Sequence, residues 1–287
     1  MKRLLRWLRL ALLGILALVI LAGAVVYVLS ERIVRRRYDE PLVAIAVPTD
    51  SLSVSEGQRL ATLRGCSGGC HGSVSEGGVF IDEPLLARLV APNLTASVRT
   101  YSDAELARII RRGVRPDGRS VVGMPSEMFS PLTDADLGRI IAYLRSLPPQ
   151  PGPGREVRLG PLARLGIVTG QYAPAAAWVR RADRLARSYP GPGDSTARGA
   201  YLARTACTEC HGLDLRGGET TPDLRIVASY SLDAFTTLLR TGTPAGNREL
   251  TLMKQAALKR FSHFTDAEIG ALYAFLRARA ATPNSVK

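Results

Sequence analysis

Two pairs of cysteines, each followed at once by a histidine, are the residues of this chain best suited to chemistry. The second pair reads Cys207–Thr208–Glu209–Cys210–His211. On a helical turn, positions i, i+3 and i+4 lie on one face. Two thiols at that spacing can form thioethers with the two vinyl groups of one haem, and the next residue points its imidazole at the iron. C-x-x-C-H is the c-type haem attachment signature. The first pair, Cys66–Ser67–Gly68–Gly69–Cys70–His71, is one residue longer. The extra residue requires a local bulge, which Gly68 and Gly69 allow. A disulfide within each pair leaves the adjacent histidine unexplained. Zinc needs further ligands at each site, or both pairs at one site. The expected cofactors are two covalently attached haem c groups, on Cys66 and Cys70 and on Cys207 and Cys210, with His71 and His211 as iron ligands.

An iron held by one histidine has a second axial position to fill. The sequence has four methionines, at 1, 124, 128 and 253. Met124 lies 11 residues after Gly113, and Met253 lies 11 residues after Gly242. The shared offset selects Met124 over Met128 and places both thioethers in loops opposite the histidines. His/Met ligation raises the potential and leaves no open coordination site, which suits electron transfer. Pro92 and Pro222 are candidates for a carbonyl that accepts the histidine ring N–H and fixes its orientation. Arg111 and Arg240, in matching positions, are candidate partners for haem propionates. His263 has Pro131 as its counterpart, so it receives no iron role.

The elements that carry these residues occur twice. FSPLTDADLGRIIAYLR (129–145) aligns without a gap with FSHFTDAEIGALYAFLR (261–277). Upstream, ELARIIRRGVRPDGR (105–119) matches AFTTLLRTGTPAGNR (234–248), and APNL (91–94) matches TPDL (221–224). The apolar spacing is helical: Leu106, Ile109 and Ile110 correspond to Phe235, Leu238 and Leu239. Gly113 and Gly242 end those helices. Thr133 and Thr265 fit as N-caps, and Ser102 with Glu105 and Thr265 with Glu268 read as capping boxes. The fold class is therefore all-α, with two tandem helical domains after one N-terminal transmembrane helix. Residues 1–37 form the anchor with basic flanks, 38–53 an extended linker, and 54–148 the first domain. Residues 149–194 form a Pro/Gly-rich interdomain segment with a short helix near Ala175–Ser188. Residues 195–281 form the second domain and 282–287 a tail.

The 21 residues between Arg9 and Glu31 carry no charge. As a helix they span about 30 Å, the thickness of a bilayer's hydrocarbon core. A cleaved signal peptide is the competing reading, but Val25–Leu29 continue the apolar run past Ala22–Gly23–Ala24. Four basic residues lie on either side, so charge does not set the orientation. Of the net charge of +13, residues 1–37 carry +7. The remainder is modestly basic, without a dense Lys/Arg run or interleaved aromatics, which speaks against nucleic acid as a partner. Aromatics make up only 6% of the chain; a porphyrin in each domain supplies the missing flat apolar volume.

Each unit resembles a class I cytochrome c domain. The strings GCSGGCHG, APNLT, YSDAELARIIRRGVRPDGR, GMPSEMFSPLTDADLGRIIAYLRSLPP and MKQAALKRFSHFTDAEIGALYAFLR resemble the multi-haem cytochrome c subunits of membrane-bound alcohol and gluconate dehydrogenases. The resemblance implies His/Met haems with Met124 and Met253 as distal ligands. It implies a dihaem electron carrier rather than an enzyme, held in the bacterial cytoplasmic membrane with its haem domains in the periplasm. Its redox partner would be a dehydrogenase catalytic subunit, with an oxidase or quinone-linked complex further on. Two departures stand out: those subunits carry three haem motifs where this chain has two, and the first motif is C-x3-C-H. The alternatives are a haem enzyme, either a dihaem peroxidase-like or a thiosulfate-oxidising cytochrome, and a haem subunit of a terminal oxidase complex.

Overall fold

The computed structural model describes residues 2–188, 196–218, 220–246 and 248–282. Helix α1 (Lys2–Val34) exposes its leucines, valines and isoleucines from Leu4 to Val25. It is the one helix among the described residues long and apolar enough to cross a membrane. The segment after it, residues 38–49, forms neither helix nor strand and is stapled to the first unit. Tyr38 is buried and its N–H donates to the Gly118 carbonyl (2.8 Å), while Glu40 accepts from Arg112 (3.1 Å).

The first unit opens with α2 (Ser51–Leu63), capped by the Asp50 carboxylate. A hairpin follows, β1 (Gly78–Glu83) and β2 (Ala87–Ala91), then α3 (Leu94–Thr100), α4 (Asp103–Arg112), the single turn α5 (Ser126–Phe129) and α6 (Asp134–Ser146). Ser102 and Glu105 close a capping box on α4, and Gly113 ends it in the left-handed region (φ 64°). The core joins Leu60, Leu106, Met128, Phe129, Leu137, Ile140 and Ile141. The small sheet is an addition to the expected helices. His71 lies 21 residues before Pro92, whereas His211 lies 11 before Pro222. The ten extra residues of the first unit form the hairpin. Phe80 and Leu89 from it press on Gly123, next to Met124.

The interdomain segment is structured too. Strand β3 (Glu156–Leu159) pairs antiparallel with β2. Helix α7 (Pro161–Val168) packs on the end of α1, where Arg164 reaches Ser30 (2.9 Å) and Glu31 (3.0 Å). Helix α8 (Ala175–Ser188) covers α4 and α5.

The second unit repeats the plan with α9 (Ala197–Ala206), α10 (Thr208–His211), a 3-10 turn at Leu224–Ser229, α11 (Leu232–Thr241), α12 (Thr251–Lys259) and α13 (Asp266–Ala281). Its core gathers Leu202, Phe235, Leu239, Phe261, Phe264, Ile269 and Leu272. In each unit the first helix crosses the last.

The two units meet through these same helices, and the contact is reciprocal. Asp136 and Glu268 hold matching positions, three residues after the N-caps Thr133 and Thr265. Each accepts from the first helix of the other unit: Asp136 from the Tyr201 hydroxyl (2.5 Å), Glu268 from Arg59 (2.8 Å). Self-complementary contacts of this kind mark a local twofold relation. Arg64, 2% exposed, adds donors to Tyr201 and Thr205 across the same boundary.

Candidate functional site

In the second unit α9 ends at Cys207, and α10 carries Thr208–His211 as one more turn. The His211 amide donates to the Cys207 carbonyl (3.0 Å), which sets both cysteines and the histidine on one face. Cys207 is half-buried and Cys210 exposed. The His211 ring Nδ1 lies 2.9 Å from the Pro222 carbonyl oxygen. A carbonyl can only accept, so Nδ1 carries the proton and Nε2 keeps a lone pair for a metal. Thr221 Oγ1 donates to the Cys210 carbonyl (2.8 Å) and ties the segment carrying Pro222 to the motif.

The first unit reaches the same end by different backbone. The longer spacing breaks the helix, and residues 64–74 run as successive turns. Gly68 takes φ 75° and its N–H donates to the Gly72 carbonyl (2.8 Å), a position where a side chain would be strained. Cys66 is half-buried and Cys70 exposed, as in the other unit. His71 Nδ1 again lies 2.9 Å from a proline carbonyl, that of Pro92. The Gly77 N–H donates to the His71 carbonyl, and the Gly217 N–H donates to that of His211, each at 2.8 Å.

Burial lowers the pKa of both imidazoles, against the proline carbonyls that favour the charged form. Both rings are held toward the neutral state a metal ligand requires. Burial pushes the Cys66 thiol up to about 11 and the Cys207 thiol up to about 12. The four cysteines are free of disulfides. Among the described residues no three His, Cys, Asp or Glu side chains converge as a bare-ion site. Two thiols and one prepared imidazole nitrogen per unit therefore suit an iron porphyrin better than zinc.

Met124 and Met253 are half-buried, and each packs against the same core cluster as the first cysteine of its own unit. Met124 sits in the turn before α5, as expected. Met253 is not in a loop: it lies in the first turns of α12. Met128 is fully buried within the first core. Arg111 and Arg240 make matching contacts within their own units. Arg111 binds Asp134 (2.6 Å) and the Leu132 carbonyl; Arg240 binds Asp266 (2.8 Å) and the Ser262 carbonyl. Each clamps the third helix of its unit to the start of the last. His263 is exposed, and its carbonyl accepts from Arg59 (2.9 Å).

Two charged residues near the motifs escaped the sequence reading. Glu127 is half-buried, its Oε2 is buried with no partner among the described residues, and burial pushes its pKa up to about 7. Arg260 binds Glu209, inside the second motif, at 2.8 Å. The repeat carried a signal for it: Arg260 aligns with Met128, and an arginine at a core position needs a partner from elsewhere.

A cytochrome c family model matches residues 54–148 and again residues 196–280. The chain belongs to the cytochrome c family. Two matched units mark this cytochrome as a haem c-binding protein. It is similar to the cytochrome subunit of fructose dehydrogenase from Gluconobacter japonicus, 25% identical over 92% of this chain and 60% of that one. It is also similar to the cytochrome c subunit of alcohol dehydrogenase (quinone) from Gluconacetobacter polyoxogenes, 25% identical over 82% of this chain and 58% of that one. The same subunit from Komagataeibacter europaeus matches to the same extent. The cytochrome thus spans about three-fifths of the length of these relatives.

Proposed function

We propose that this cytochrome carries single electrons from a membrane dehydrogenase toward the respiratory chain, as a non-catalytic subunit anchored by α1 with its two haem domains in the periplasm. The observation that carries the reading is the duplicated histidine. In both units a cysteine-flanked imidazole has its Nδ1 fixed on a proline carbonyl at 2.9 Å, leaving Nε2 free.

Cys66 and Cys70 would hold one haem and Cys207 and Cys210 the other. His71 and His211 would be the proximal ligands, Met124 and Met253 the distal ones. When bound, haem supplies a one-electron Fe(III)/Fe(II) couple. The rest is the protein's part. The proline carbonyls keep the imidazoles in one tautomer and one orientation. The half-buried thioethers of Met124 and Met253, each beside its unit's core, would close the second axial position and exclude water and peroxide. Phe80 and Leu89 hold the Met124 turn from the sheet side. This arrangement favours a carrier over a peroxidase-like enzyme.

The relatives suggest a sugar or alcohol dehydrogenase as donor. Membranes containing the cytochrome, given fructose, ethanol or gluconate, are expected to show reduction of its haem bands with one of these substrates. The band should be lost when the gene for the cytochrome is removed. Haem that stays oxidised with every dehydrogenase substrate, yet is reduced at once by dithionite, would contradict the dehydrogenase link.

A further inference from the structure

Arg260 has the position that Met128 has in the first unit, yet its side chain is only 15% exposed. Its Nε donates to the carbonyl of Leu63 (3.1 Å), three residues before Cys66. Its Nη1 donates to Glu209 Oε2 (2.8 Å), between Cys207 and Cys210. The guanidinium carbon lies 3.4 Å from where a side chain on Gly65, the neighbour of Cys66, would begin. One side chain therefore touches the approach to the first motif and the middle of the second. Its Nη2 is buried and has no hydrogen-bond partner among the described residues. The Arg260 charge is felt at Cys66, Cys70, Cys207 and Cys210 alike. The reciprocal Asp136 and Glu268 contacts fix the two units around this point.

We infer that Arg260 couples the two haems: it holds their attachment motifs side by side across the unit boundary and places one positive charge beside both motifs. The inference rests on the dihaem reading above. Reduction adds one negative charge to a haem, so a nearby cation favours the ferrous form, and more strongly in a partly buried boundary than in water. Transfer between the haems is then balanced in itself: one iron loses an electron as the other gains it, with no proton or further oxidant involved. Glu209 opposes Arg260 at the same place, so the pair sets the local charge.

The test uses the full chain in detergent, loaded with haem, with stoichiometry measured first by pyridine haemochrome. Two readouts follow: an optical redox titration and the paramagnetic resonance spectrum of the fully oxidised protein. Arg260→Met leaves Glu209 uncompensated. At a fixed ambient potential the reduced-to-oxidised ratio of both haems should fall several-fold, a tenfold fall corresponding to about 59 mV for one electron. The magnetic interaction between the ferric haems should weaken. Glu209→Gln should move both ratios the other way. Arg260→Met combined with Glu209→Gln removes both charges, so the potentials should return toward wild type while the weakened magnetic interaction remains. Arg260→Lys keeps the charge but not the two-sided grip. Should the methionine variant fail to take up haem, the lysine variant should keep both potentials and still weaken the interaction. A shift confined to one haem, no shift with both haems bound, or wild-type haems without magnetic interaction would overturn the coupling role. Fewer than two haems on the wild-type chain would instead overturn the dihaem reading itself.

Discussion

Met124 and Met128 differ by four residues, and their surroundings separate their roles. Met128 has no exposed surface and fills the first core, whereas Met124 is half-buried in a turn beside it. Met124→Ala should abolish the thioether-to-iron absorption near the red edge of the spectrum. Met128→Ala should keep that band but cost about 2–5 kcal/mol of stability, the usual result of emptying a core position. Denaturant unfolding and the oxidised spectrum check both, and loss of the band in Met128→Ala alone would reassign the ligand. Glu268 gives a pH-dependent prediction. Burial works to raise its pKa, but the Arg59 hydrogen bond, the Thr265 backbone and the charges of Arg59 and Arg198 outweigh it and hold it below the ordinary 4.5. A carboxylate depressed in the folded state stabilises fully above its unfolded pKa and loses that contribution as the pH falls. The boundary between units should therefore loosen below about pH 4.5, and Glu268→Gln should flatten the acid limb of a plot of Tm against pH. An unchanged acid limb would contradict it. At this scale the cysteines and histidines were legible because their chemistry is local. Arg260 was not, because its meaning depends on a carbonyl 197 positions away.

The elements show why the two units need the same helices in the same crossing. Glycine occupies the first helix of each unit where it meets the last. A side chain on Gly57 would begin 1.9 Å from the Arg139 carbonyl, and one on Gly199 would begin 2.1 Å from that of Ala271. Arg139 and Ala271 hold equivalent positions in the repeat. Gly199→Ala must push α9 from α13 and should destabilise the second unit by about 1–3 kcal/mol, the cost typical of overpacking. Calorimetry on the haem-loaded protein checks this, and an unchanged Tm would show that the helices can separate freely. The capping boxes, the left-handed glycine ends and α8 were readable from pattern. The sheet was not, since β1 and β2 arise from an insertion with no counterpart, and β3 pairs with β2 from beyond a proline-rich turn. The offset of Met253 from Gly242 fixes a distance along the chain but not the helix α12 that forms around it.

The whole molecule is a duplicated unit, closed on itself by a reciprocal boundary and carried on one apolar helix. The duplication was plain in the sequence; the twofold relation was not, because a repeat states that units are alike and says nothing of how they face. Helix α1 exposes its apolar side chains from Leu4 to Val25, while each cytochrome c unit gathers a buried core of its own. Replacing residues 2–29 with a cleavable signal peptide keeps export, leaves Ser30 and Glu31 to bind Arg164, and should release the protein from membranes with its visible spectrum intact, as fractionation and absorbance would show. Retention on membranes after that replacement would point to another attachment. The most direct test of the dihaem assignment is the mass of the intact polypeptide, followed by mapping of its haem-bearing peptides. The expected result is two added tetrapyrroles, one on the peptide holding Cys66 and Cys70 and one on the peptide holding Cys207 and Cys210. A polypeptide at its bare sequence mass, or with a single addition, would contradict it.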